Sequence, residues 1–153
     1  MTGKIAASGN VNSLLEEDED TARTMSLSSK TYCYCFMFFG CSSLTQAPEL
    51  PATTLADNCY LYMFTDCTSL TQAPVLPATT LTDSCYSSMF AGCRSLTQAP
   101  ELPATTLANN CYDYMFFGCS NLNYIKVGFT NWDTTNATAN WLPETTGNFE
   151  CPQ

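Results

Sequence analysis

The sequence predicts an α/β solenoid of about four 26-residue coils, with short parallel strands on one side and short helices on the other. Three observations predict it. A cysteine-tyrosine pair recurs at Cys33-Tyr34, Cys59-Tyr60, Cys85-Tyr86 and Cys111-Tyr112, 26 residues apart each time. Met-Phe follows in the same register at Met37-Phe38, Met63-Phe64, Met89-Phe90 and Met115-Phe116, and a second cysteine at Cys41, Cys67, Cys93 and Cys119. The segment LTQAPxLPATTL occupies 44–55, 70–81 and 96–107. A fixed period of this length marks a repeat array, in which no unit buries its apolar face alone. The 153 residues divide into a lead-in and partial cap, 1–30, an array, 31–134, and a C-terminal cap or tail, 135–153.

The helical half of each unit is read from its ends. Column 31/57/83/109 is Thr, Asp, Asp, Asn, residues whose side chains accept an orphaned N–H at a helix start. Column 40/66/92/118 is Gly, Asp, Gly, Gly, the types that best tolerate the left-handed conformation closing a helix. The eight residues between make about two turns, with Cys59 and Met63, and Tyr60 and Phe64, at i, i+4 on one apolar face. Columns 35/61/87/113 and 39/65/91/117 vary from unit to unit and are expected in solvent.

The other half reads as a short strand. Leu70 and Ala73 point inward, with Leu76 and Leu81 as further inward columns. Pro74 and Pro77 cannot donate to a ladder, so the strand lasts about three residues before an extended Pro-x-Leu-Pro segment. In the last unit Leu122-Asn123-Tyr124-Ile125-Lys126-Val127 has the LxxLxL pattern of leucine-rich repeats. The ends are expected to be covered by Trp132 and Trp141 at one side and, less completely, by Val11, Leu14 and Leu15 at the other. The run Glu16-Glu17-Asp18-Glu19-Asp20 lacks the alternating ligands and glycine of a calcium loop, and reads as a solvated, mobile segment that opposes self-association.

Composition excludes several functions. Lys plus Arg is 5 against 14 Asp plus Glu, a formal charge of -9, which cannot supply the phosphate neutralisation of nucleic-acid binding or a polybasic membrane anchor. Histidine is absent, so Ser-His-Asp and Cys-His catalysis cannot be built, and the commonest metal ligand is missing. No apolar run reaches the roughly 20 residues that span a bilayer. The start has no signal-peptide apolar stretch, which suggests the mature or truncated part of something longer. No catalytic, cofactor or metal residues are expected. The ten cysteines read as buried free thiols: a helix between Cys59 and Cys67 would hold their Cα atoms about 12 Å apart, too far for a disulfide. Cys35 and Cys151, outside the two columns, are the expected reactive thiols.

The run CYxxMFxxCxSLTQAPxLPATTLxxxCY resembles the BspA-type leucine-rich repeats of surface proteins from anaerobic gut and oral bacteria, densely over 31–127 and more loosely over the lead-in Gly3–Val11. The resemblance implies a leucine-rich-repeat-type solenoid on a secreted or cell-surface protein that acts in adhesion, binding host or bacterial surface proteins or glycans. The columns expected to carry binding are the outward strand-side residues Thr45, Gln46 and Glu49; Thr71, Gln72 and Val75; Thr97, Gln98 and Glu101. Two alternatives stay open. In one, the Gln and Thr ladders simply bond to one another along the stack; in the other, the chain is a structural spacer or an end-to-end self-assembling unit without a soluble ligand.

Overall fold

Cys, Tyr, Phe and Asn are weak helix formers, and the segments expected to be helices are ribbons of consecutive turns. The computed structural model describes residues 4–131, 136–142 and 148–150. In it, 32–41, 58–67, 84–93 and 110–119 follow one rule. Every odd-numbered N–H in the first ribbon closes a local turn, as in Cys35 N to Tyr32 O (3.2 Å) and Met37 N to Tyr34 O (3.3 Å). Every even-numbered N–H donates to the next unit, as in Tyr34 N to Cys59 O (3.0 Å), Phe36 N to Leu61 O (3.0 Å) and Phe38 N to Met63 O (2.9 Å). Later ribbons repeat the scheme with parity unchanged, because 26 is even. An α-helix spends its interior N–H groups on its own carbonyls; this ribbon shares them equally between itself and its neighbour.

The alternation needs a left-handed residue at every fourth position. Tyr32, Phe36 and Gly40 have φ of 57°, 59° and 70°, and the equivalents recur at Asn58, Tyr62 and Asp66, at Ser84, Ser88 and Gly92, and at Asn110, Tyr114 and Gly118. Positive φ at the third residue of a turn is the type II signature. Column 40/66/92/118 therefore has the conformation its residue types suggested, but as one member of a four-residue cycle and not as a helix stop. Column 31/57/83/109 caps no helix. Asp57 Oδ1 accepts from Asp83 N (3.2 Å) and Asp83 Oδ1 from Asn109 N (3.3 Å), so these carboxylates tie each unit to the next.

A four-residue cycle keeps i, i+4 and i+8 on one face, whereas a helix would rotate them by about 40° per step. Cys59, Met63 and Cys67 are buried together, as are Tyr60 and Phe64. Stacking the ribbons then builds two aromatic files. Tyr34, Tyr60, Tyr86 and Tyr112 lie 5.6, 5.7 and 6.1 Å apart between ring centroids, and Phe38, Phe64, Phe90 and Phe116 lie 5.4, 5.6 and 5.9 Å apart. Their planes are near parallel, the offset-stacked arrangement that contributes about 0.5–1.5 kcal/mol per pair beyond area burial. The varying columns are not uniformly in solvent: Phe39 and Phe117 are exposed, but Thr65 and Ser87 are buried, their hydroxyls donating to Ser88 O and Asp113 O.

On the opposite side the strands are as short as the prolines require. β1 (Ile5–Ala6) pairs in parallel with β2 (Leu44–Gln46), and β3 (Tyr124–Lys126) with β4 (Asn148–Glu150). Between them single parallel bridges join Gln46 to Gln72, Gln98 to Tyr124 and Leu102 to Val127. Leu44, Leu70, Leu96 and Leu122 are buried beneath, with Leu50, Leu76 and Leu102.

Both ends extend the stack. Val11 of the lead-in is buried, with Asn12 beside it, but Leu14 and Leu15 are exposed and cover nothing. The acidic run is largely exposed, and its last two residues open α1 (Glu19–Thr24), capped by Asp18, whose side chain accepts from Thr21 N. That bond holds the Asp18 carboxyl below its usual range. At the other end residues 136–141 continue the ribbon, past the expected boundary at 134. Asn136 and Asn140 have positive φ, and Tyr112, Tyr114 and Phe116 donate to Ala137, Ala139 and Trp141 carbonyls. Trp141 is buried against Tyr112, Phe116 and Phe129 at 6.4, 6.4 and 5.9 Å, the covering role expected of it. Trp132 and Cys151 lie outside the described residues.

Two comparisons test this packing. Tyr34 Oη donates to Asn12 Oδ1 (2.9 Å), whereas the buried hydroxyls of Tyr60 and Tyr86 have no partner among the described residues. Tyr60→Phe and Tyr86→Phe should leave stability unchanged or raise it by up to about 1 kcal/mol, while Tyr34→Phe should lower it by about 1–2 kcal/mol by stranding Asn12; urea denaturation of the three variants reads the difference. A Cβ on Gly128 would lie 2.6 Å from Pro103 O, a backbone atom, whereas on Gly118 (φ +71°) it meets nothing nearer than 3.7 Å. Gly118→Ala should cost about 1–2 kcal/mol through its left-handed backbone, and Gly128→Ala should cost more, because the Gly128 N to Leu102 O bond (2.7 Å) must open. The reverse order would contradict the close approach.

Candidate binding face

The strand side gathers the nine residues expected to carry binding, but gives them three different fates. The threonine hydroxyls of the first two units are spent on the stack: Thr45 Oγ1 donates to Ile5 O (2.9 Å) and Thr71 Oγ1 to Thr45 O (3.3 Å). The glutamates are spent on ion pairs. Glu49 Oε2 lies 2.9 Å from Arg23 Nη1, and Glu101 Oε1 lies 2.9 Å from Lys126 Nζ. Both pairs are solvated and contribute little to stability; Lys126 balances Glu101 at one end of the face, while at the other Arg23 is shared between Glu49 and Glu19. Gln46, Gln72 and Gln98 are exposed, and no side-chain hydrogen bond engages them among the described residues. The threonines of the first two units therefore bond along the stack, though to backbone carbonyls and not to one another's side chains, and the glutamines do not join them.

Three grooves run between these residues. Gln46, Glu49, Gln72 and Val75 line the largest, about 560 Å³, together with Pro48, Pro51, Pro74 and Pro77. Thr71, Gln72, Thr97 and Gln98 line a second of about 310 Å³, and Val75 and Glu101 share a third of about 400 Å³ with Pro74, Pro77, Pro100 and Pro103. Val75, shared by the first and third, is 79% exposed, a large apolar side chain held in water among prolines. Thr45 lines none of the three. The second groove marks a seam. Backbone bridges join Gln46 to Gln72 and Gln98 to Tyr124, but among the described residues none joins Gln72 to Gln98. Nothing in the repeat pattern marks this seam, since the two units are nearly identical across it. The proline rows were legible, but only as strand breakers.

The cysteines do more than fill space. All nine described cysteines are free. In the second column, Cys67 Sγ donates to Phe38 O (3.1 Å), Cys93 Sγ to Phe64 O (3.1 Å) and Cys119 Sγ to Phe90 O (3.0 Å), each reaching the preceding unit. Burial pushes the thiols of Cys59, Cys67 and Cys119 up to about 12 and that of Cys111 up to about 11; Cys85 and Cys93 are also raised. Such thiols are inert at neutral pH. Cys35 is half-buried, but so are Cys33 and Cys41, so among the described residues it is not the one accessible thiol, and Cys151 lies outside them. Among the described residues no three His, Cys, Asp or Glu side chains converge on a metal position, and no helix is long and apolar enough to cross a membrane.

Set against family models, curated proteins and solved structures, the chain matches none of them. In the native protein at pH 8, a thiol reagent should label Cys33, Cys35 and Cys41 within minutes, while the six buried cysteines react only after denaturation; peptide mapping by mass spectrometry reads the order. Early labelling of Cys85 or Cys93 would contradict the stack.

Proposed function

We propose that the chain is a non-enzymatic binding module, a leucine-rich-repeat-type solenoid whose strand-side face takes an extended polypeptide segment of a partner. The observation that carries this reading is the row of exposed amides Gln46, Gln72 and Gln98, unengaged by protein groups among the described residues, with Gln46 and Gln72 on a groove lined by prolines and Val75 and Gln72 and Gln98 on the next. Such amides can donate to and accept from peptide groups, and an apolar groove with a few convergent polar groups is the usual form of a ligand site. The two ion pairs leave the middle of the face uncharged, which suits a neutral segment. No aromatic side chain lines the three grooves, so a sugar ring would find no stacking surface there. Polypeptide is thereby favoured over glycan. The resemblance to BspA-type repeats adds the setting, a secreted or cell-surface protein acting in adhesion toward host or bacterial surface proteins.

The experiment is capture from extracellular-matrix and mucus extracts on the immobilised chain, beside a Gln46→Lys, Gln72→Lys, Gln98→Lys variant. All three positions are exposed, so the variant should melt within about 2 °C of wild type. Capture should fall at least tenfold in the variant, survive enzymatic removal of glycans from the extract, and disappear after its proteolysis. Equal retention by wild type and variant would remove this face as the site and favour the spacer reading.

A further inference from the structure

We propose that the outer edge of the first ribbon, residues 32–41, is a second docking site, and that it takes one further turn ribbon of the Cys-Tyr-x-x-Met-Phe pattern from another polypeptide. At every internal junction the odd-numbered carbonyls of a ribbon receive the even-numbered N–H groups of the unit before it, as Cys59, Leu61, Met63 and Thr65 do. The carbonyls of Cys33, Cys35, Met37 and Phe39 receive none among the described residues. The lead-in accounts for the difference. It lies over the strand side of the first unit, donating from Ile5 to Ser43 O, from Ala7 to Gln46 O, from Val11 to Glu49 O and from Leu27 to Thr54 O, but it contributes no ribbon.

Burial follows the same line. Leu44, Leu50 and Leu55, beneath the lead-in, are buried, and so is Tyr34, which Asn12 reaches. Met37 is 36% exposed where Met63, Met89 and Met115 are fully buried. Cys33, Phe38 and Cys41 are only partly covered, whereas their repeats in later units are buried.

The chemistry of the edge selects its occupant. A turn brings Cα atoms three residues apart within about 7 Å, where an extended strand spans about 10 Å over three residues, so a plain strand would lose register with the row of carbonyls. An α-helix has no interior N–H groups to give. Only another turn ribbon offers them at alternate residues while laying an aromatic ring of its own on the half-buried Phe38. Residues 31–41 carry no charge, which suits an equally neutral ribbon. A second folded copy fits less well. Its last ribbon and β4 both lie against the same unit, and here the strand position beside β2 is already filled by β1.

The probe is a synthetic peptide of residues 84–93, which carries no charged side chain, labelled with a fluorophore at its N-terminus and titrated with the full chain under reducing conditions, read by anisotropy. Saturable binding at one peptide per chain is expected, weakened at least tenfold by Met37→Lys and abolished by N-methylation of the peptide at Tyr86, Ser88 and Phe90. The N-methyl peptide tests the hydrogen-bond row without any change to the protein. No saturation up to millimolar chain, or equal binding of a scrambled peptide, would overturn the proposal. So would concentration-dependent oligomers of the chain alone that exclude the peptide, which would assign the edge to a second folded copy. Because the edge lies on the ribbon side, Gln46→Lys, Gln72→Lys, Gln98→Lys should bind the peptide normally, which separates this result from that for the strand-side face.

Discussion

Everything in this protein depends on how the ribbon divides its backbone hydrogen bonds. Half of its N–H groups close local turns and half reach the next unit, and that division persists only while every fourth residue holds a left-handed backbone. Asn, Gly and Asp adopt it at little cost, but Tyr32, Phe36, Tyr62 and Tyr114 do not. Their presence shows that the unit-to-unit ladder outweighs a strain of about 1–2 kcal/mol per residue. The aromatic files, the buried methionines and the cysteine latches follow from it, because a four-residue cycle returns each side chain to the same face and a 26-residue unit returns it to the same column.

The sequence made the columns legible and hid the conformation within them. The period of 26, the inward Tyr, Phe, Met and Leu columns, the brevity of the strands and the end-covering role of Trp141 could all be read directly. The ribbon could not be read from i, i+4 spacing, because over two turns a 3.6-residue helix and a four-residue cycle place the same pairs together. Two signals do separate them. Cys33, Met37 and Cys41 span i, i+4 and i+8, which a helix would rotate off its face, and Asn recurs at 58, 110 and 136, in phase with the Gly column eight residues later. Both are visible only when a residue type is weighed for its backbone conformation as well as its polarity.

The candidate face was legible in the same partial way. The repeat columns placed Thr45, Gln46, Thr71, Gln72, Thr97 and Gln98 near one surface, but did not show how those side chains are divided between the stack and solvent. That division rests on details outside the repeat. Arg23 comes from the lead-in and Lys126 from the final unit, and each engages a glutamate at one end of the face, Arg23 while also holding Glu19. The repeat supplies identical chemistry, and the non-repeated flanks decide which part of it remains available.

The near-identity of the units has a further consequence for how the chain finds its alignment. A pairing displaced by one whole unit would recover almost every internal contact, since each ribbon offers its neighbours the same donors, acceptors and rings. What distinguishes the native alignment is a small set of contacts that occur once: Tyr34 Oη with Asn12, Arg23 with Glu49, and Trp141 against Tyr112 and Phe116. The interior holds the chain together and the flanks tell it where to begin counting. Specificity and strength thus reside in different residues, and the flanks can be altered with little loss of cohesion but not without loss of a unique register.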